Sequence, residues 1–156
     1  MNLVVVAVDP GSTTGIAILQ YKGGYLEKHN ILQAEGSSAA STLEYMLAGV
    51  HASDAESRRL GVIELFVTAR GTANTKDANI TRELVPVIDM YLKVFEYTVY
   101  RQKAADVKLW ATDKRLKAVF PSATSSINGK ARDGWDAARH AMYVATKHGG
   151  VPDPLR

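Results

Sequence analysis

A single layered α/β domain built on a mixed five-stranded sheet is the fold class that the sequence predicts, on three observations. Short β-branched runs alternate with longer stretches whose apolar residues recur at helical spacing. Three of the strand-like runs come in succession before any helix, and later ones alternate with helices, an order that extends an antiparallel start with parallel crossovers. The 156 residues suit one domain, residues 1–156, without a second lobe.

Taken in order, residues 3–8 (LVVVAV) are too short for a helix and read as a central strand. A turn on Pro10-Gly11-Ser12 leads to a second strand, Gly15 to Leu19, and Gly23-Gly24 turns the chain into a third, Tyr25 to Leu32. Ser41 is a good N-cap for a helix carrying Leu43, Met46, Leu47 and Val50 on one face and ending near His51. Leu60 to Phe66 reads as a short buried strand, and Arg70 to Asn79 as a loop. Ile80, Leu84, Val87, Ile88, Tyr91 and Leu92 form the next helical face, with a kink expected at Pro86. Glu96 to Tyr100 alternates as a fifth strand, Lys103 to Phe120 is basic and helical, 121–130 is loop, and a last helix runs from about Arg132 to His148, stopped by Gly149-Gly150 and Pro152. This is the ribonuclease-H-like order, with helices expected on both faces of the sheet.

Hydrophobic residues make up 46% of the chain, enough for one packed core. The absence of cysteine excludes disulfides, thiol nucleophiles and cysteine-bound metal clusters, and suits a reducing cytoplasm. The longest apolar run, Leu3 to Val8, falls far short of the roughly 18–20 residues of a membrane span, so no membrane partner and no targeting segment are expected. Net charge is +3, but residues 1–100 carry 8 basic and 11 acidic side chains while 101–156 carry 11 and 5. The late positive charge suits a polyanionic partner, and equally a solvated face.

Four carboxylates stand out by position. Asp9 closes the first strand, Glu64 lies near the end of the fourth, and Asp133 and Asp136, three apart on the last helix, share a face. Singly, Asp9 also suits a turn start and the helical pair also suits the helix dipole, whereas a carboxylate ending a buried strand costs desolvation unless it is paired. If the first and fourth strands are neighbours, all four meet, and clustered carboxylates call for hard cations such as Mg²⁺ or Mn²⁺. A pair of such ions supports in-line phosphoryl displacement without a protein nucleophile.

These residues resemble a family, the RuvC-type Holliday junction resolvases. "VVVAVDPGSTTGIAIL" (4–19) is similar to the family's opening strand, turn and second strand, "GVIELF" (61–66) to its glutamate-bearing strand, and "ARDGWDAARHAMYVA" (131–145) to its closing acidic helix. The resemblance implies that Asp9, Glu64, Asp133 and Asp136 are the catalytic, metal-binding carboxylates. "DVKLWATDK" (106–114) is similar to a segment with two lysines near the scissile phosphate, which implies that role for Lys108 and Lys114, here only six apart. The family's aromatic three residues after the glutamate is Val67 in this chain; the phenylalanine is Phe66, which reads as core. Trp135 reads as core in preference to a DNA-facing ring, and His140, one turn beyond Asp136, as a packed or surface residue in preference to one that tunes the site.

The resemblance further implies a homodimer, formed around residues 80–92, that grips a four-way DNA junction through basic residues from 101 to 132. Each subunit would hydrolyse one strand with Mg²⁺, or Mn²⁺ in its place, in recombination and repair. A cytoplasmic setting, and a phage version of the family given the short lysine segment, are the corresponding expectations. The same acids would serve a broader branched-DNA or flap endonuclease, or a non-catalytic junction binder. The DPGSTTG turn is also similar to the phosphate loop of actin-like ATPases and sugar kinases, which need a second lobe that this length lacks.

Overall fold

The strand β1 (Asn2–Asp9) lies in the middle of a five-stranded sheet, and its unbroken apolar run follows from that position. Leu3, Val5 and Ala7 face one side, Val4, Val6 and Val8 the other, and all six are buried. Burial of each branched side chain contributes about 1.5–3 kcal/mol, so this strand anchors both cores. The computed structural model describes residues 2–66, 75–123 and 131–156. Among them no helix is long and apolar enough to cross a membrane.

The sheet order is β3-β2-β1-β4-β5, with β2 (Thr13–Lys22) antiparallel to both β1 and β3 (Tyr25–Glu35). Strands β4 (Arg58–Leu65) and β5 (Thr98–Lys103) add in parallel on the other side of β1. Gly23 and Gly24 both adopt positive φ, 60° and 88°, which a two-residue hairpin turn between β2 and β3 requires. Helices α1 (Gly36–Ser53) and α2 (Lys76–Val94) cover one face through Leu43, Leu47, Leu84, Ile88 and Leu92. On the other face lie α4 (Asp113–Val119) and α5 (Arg132–Lys147), the latter placing Ala137, Ala138, Ala141 and Ala145 close against the sheet. The predicted mixed five-stranded sheet with helices on both faces is therefore the fold.

Element boundaries differ from the sequence reading for local reasons. Strand β3 runs on to Glu35, and α1 starts at once at Gly36, whose N–H donates to the Ser12 carbonyl at 2.8 Å. Ser41 is inside that helix, and its hydroxyl bonds back to the Ser38 carbonyl instead of capping. Helix α2 begins earlier than expected, because Thr75 accepts a hydrogen bond from the Ala78 N–H and caps it. It continues as one element through Pro86. Residues 70–74 of the expected loop, and 124–130 of the later one, lie outside the described residues. The basic stretch from Lys103 is not one helix. Lys103 ends β5, α3 (Ala104–Lys108) is a single short turn, and Thr112 caps α4 by accepting from the Arg115 N–H.

Candidate active site

One row of residues crosses the sheet at the carboxyl ends of β1 and β4. Gln33 on β3 pairs with Gly15 on β2, Gly15 with Asp9 on β1, and Glu64 on β4 with Gln102 on β5. The β1–β4 register, Val8 opposite Ile63, carries Asp9 alongside Glu64. Directly opposed residues share a face, and here it is the face covered by α5.

The first turn of α5 is seated on this row. A Cβ on Gly15 would run into the Asp133 carbonyl, so only glycine opposite Asp9 lets the helix backbone come so close. Helix α5 has no side-chain cap of its own residues; instead Gln33 Oε1 accepts from the N–H groups of Asp133, at 2.8 Å, and Gly134, at 3.4 Å. Asp133 and Asp136 thereby face the ends of β1 and β4.

The result is an open hollow of about 400 Å³ lined by Asp9, Glu64, Asp77, Asp133 and Asp136, with Lys108, Arg132, Phe66 and the turn from Pro10 to Thr13. Burial pushes the Asp9 carboxyl up to about 8, and repulsion from Glu64, Asp133 and Asp136 adds to it, while Lys108 opposes the shift. Asp133 is also raised, by burial first and then by Asp136. Asp136 lies 3.7 Å from both Arg132 and Arg139. Arg139 is itself held by Asp113 and the Ala111 carbonyl, tying α5 to the chain between α3 and α4.

Lys108, the last residue of α3, reaches the hollow; Lys114 is exposed on α4 and is not among its lining residues. Phe66 is not a core residue: it sits just past β4, 41% exposed, on the wall of the hollow. Trp135 is partly buried against the core, tilted over Phe120. Val67 lies outside the described residues.

Five participants escaped the sequence reading. Asp77, placed there in a loop, is in the first turn of α2, where its Oδ1 accepts the Ser12 N–H at 2.6 Å. With Thr81, which donates to the Pro10 carbonyl, it fixes the turn after Asp9 from α2, and Thr14 fixes the same turn through Gly11. Gln33 and Gln102 carry no motif; their signal is strand register, which a single sequence does not display. Among the described residues, no three His, Asp or Glu side chains converge tightly enough to hold an ion as they stand.

The architecture, a central β1 between antiparallel β2 and parallel β4 with helices on both faces of the sheet, is shared by two solved structures. RuvC of Thermus thermophilus in complex with a Holliday junction substrate superposes with a TM-score of 0.62 over 94% of this chain and 96% of that one, at 11% identity. A second Thermus thermophilus RuvC structure gives 0.60 over 95% and 97%, at 13% identity. The fold of this chain is that of RuvC. No protein-family model and no curated protein matches the sequence.

Proposed function

We propose that the protein is a metal-dependent endonuclease that resolves four-way DNA junctions by paired, symmetric phosphodiester hydrolysis. The observation that carries this reading is the convergence of Asp9, Glu64, Asp133 and Asp136 on one open hollow, in a fold shared with a RuvC that binds a Holliday junction substrate.

The donor set is all oxygen, which suits Mg²⁺ or Mn²⁺, and a bound cation would oppose the upward shift that burial first, and the neighbouring acids second, impose on Asp9. Asp9, Glu64, Asp133 and Asp136 would hold the ions. The chemistry that a divalent cation held there would supply is polarisation of a phosphoryl oxygen and a more acidic water. The chain's own groups do the rest. Lys108 brings a positive charge beside Asp9, where the reacting phosphate would lie, to offset charge that grows as the bond breaks. Arg132 and Arg139 hold Asp136 from both sides, and Asp77 keeps the turn after Asp9 in place. Phe66, exposed at the edge, offers a ring to DNA bases.

Two copies related by a twofold axis would match the symmetry of a junction, and Met90 and Val94 leave apolar surface exposed along α2 for such pairing. The test is to incubate the protein with labelled four-way, Y-shaped and linear DNA in Mg²⁺, Mn²⁺ or EDTA and map the cuts. Paired nicks confined to the four-way substrate and lost in EDTA are expected. Equal cutting of Y-shaped DNA would make it a general branch nuclease, and tight binding without cutting would make it a junction-binding module.

A further inference from the structure

His140 has no part in the scheme above, yet its ring is bound at both nitrogens inside the site. Nε2 lies 2.9 Å from Glu64 Oε2 and Nδ1 lies 3.1 Å from Gln102 Oε1, with the side chain only 3% exposed. Its two partners are not independent. Glu64 and Gln102 are opposed residues on β4 and β5, and α5 lowers His140 onto the pair from the face that also carries Asp133 and Asp136.

The direction of these bonds follows from the chemistry of the ring. If the Gln102 amide presents its NH₂ to Nδ1, the imidazole carries its single proton on Nε2; if it presents its oxygen, both ring nitrogens carry protons. With Glu64 ionised, its carboxylate can only accept, so in either arrangement Nε2–H donates to it. We propose that Gln102 and His140 form a brace for Glu64: Gln102 fixes the ring, the ring holds Oε2, and Oε1 is left for a divalent cation in the hollow. His140 is thus a positioning residue, one step removed from the acids. Groups at this remove commonly change metal affinity about 10- to 100-fold when they are lost.

The inference rests on the nuclease reading only for the purpose of Glu64, and its test does not need cleavage. Mn²⁺ binding is measured by calorimetry on the wild type and on His140→Leu, His140→Gln and Gln102→Leu, each first shown to be folded by its thermal melt. His140→Leu fills the space without a donor and is expected to weaken Mn²⁺ binding about 10- to 100-fold. His140→Gln, whose amide donor reaches about as far as Nε2, is expected to restore most of the affinity, and Gln102→Leu to lose an intermediate amount. A residue that merely packs would give equal affinities in all four proteins, and that result overturns the brace. So does an unprotonated Nε2 in the ¹⁵N spectrum of the metal-free wild type. A wild type that binds Mn²⁺ with the expected ranking of variants, but cuts no junction, would fault the nuclease reading and leave the brace standing.

Discussion

At the carboxyl ends of β1 and β4, five carboxylates share a hollow with Lys108 and Arg132, whereas near the C-terminus Asp153 has Arg115 to itself through two hydrogen bonds of 3.1 Å. The consequences for the acids are opposite. The Arg115 guanidinium holds the Asp153 carboxyl below its ordinary range, and burial with crowding lifts Asp9 to about 8. One arrangement stabilises the fold. The other works against it, and a fold tolerates such a site where binding or catalysis repays it.

The largest expected effect comes from removing one acid of the crowded set. Asp136→Asn is expected to abolish junction cutting while leaving junction binding intact, because the amide keeps the shape and loses the charge. Gel-shift and nicking assays on the same preparation check it, and undiminished nicking would detach the hollow from the chemistry. Next comes the seat of α5. Gly15→Ala sets a methyl group against the Asp133 carbonyl, backbone that cannot step aside cheaply, and is expected to destabilise the protein by about 3 kcal/mol in urea unfolding. It would also displace Asp133, so cutting is expected to fall with stability.

That glycine marks where sequence reading succeeds and where it stops. The β-branched run at residues 3–8 and the helical stripe through Leu84, Ile88 and Leu92 are periodic signals set by burial, and both are found where expected. The four acids were legible because each sits at the end of an element with an apolar pattern. Asp77, Gln33, Gln102 and the contact of His140 with Glu64 were not, since each depends on strand register or on where a helix starts. The same limit explains the split of 103–120 into two helices, where one Thr112 cap outweighs a continuous basic pattern.

The pH dependence separates the two kinds of acid. A carboxylate raised in the folded state binds a proton that the unfolded chain releases, so between about pH 4 and pH 8 Asp9 makes the metal-free protein less stable as pH rises, and above that its contribution levels off. Asp9→Asn cannot ionise. Its melting temperature relative to the wild type is expected to climb from pH 5 to pH 8 in EDTA, and a constant difference would show that Asp9 titrates normally. Arg115→Ala acts on the balanced pair instead. It removes two charged hydrogen bonds and one to the Trp110 carbonyl at a half-buried site, for an expected loss of about 1 kcal/mol with no change in Mn²⁺ affinity.

The finest contrast lies between two lysines six residues apart. The family resemblance gives both a place near the scissile phosphate, but only Lys108 lines the hollow, and its charge is felt at Asp9; Lys114 points from α4 into solvent. Lys108→Ala is expected to slow single-turnover cutting by about 10²-fold, the usual cost of removing one group that stabilises transition-state charge. Lys114→Ala removes only an exposed, screened charge, so it is expected to weaken junction binding a few-fold at low salt, to reduce the salt dependence by about one phosphate contact, and to leave the cutting rate of bound junction nearly unchanged. Equal rate losses in the two variants would mean that α4 closes on the hollow when DNA binds, bringing Lys114 to the same phosphate.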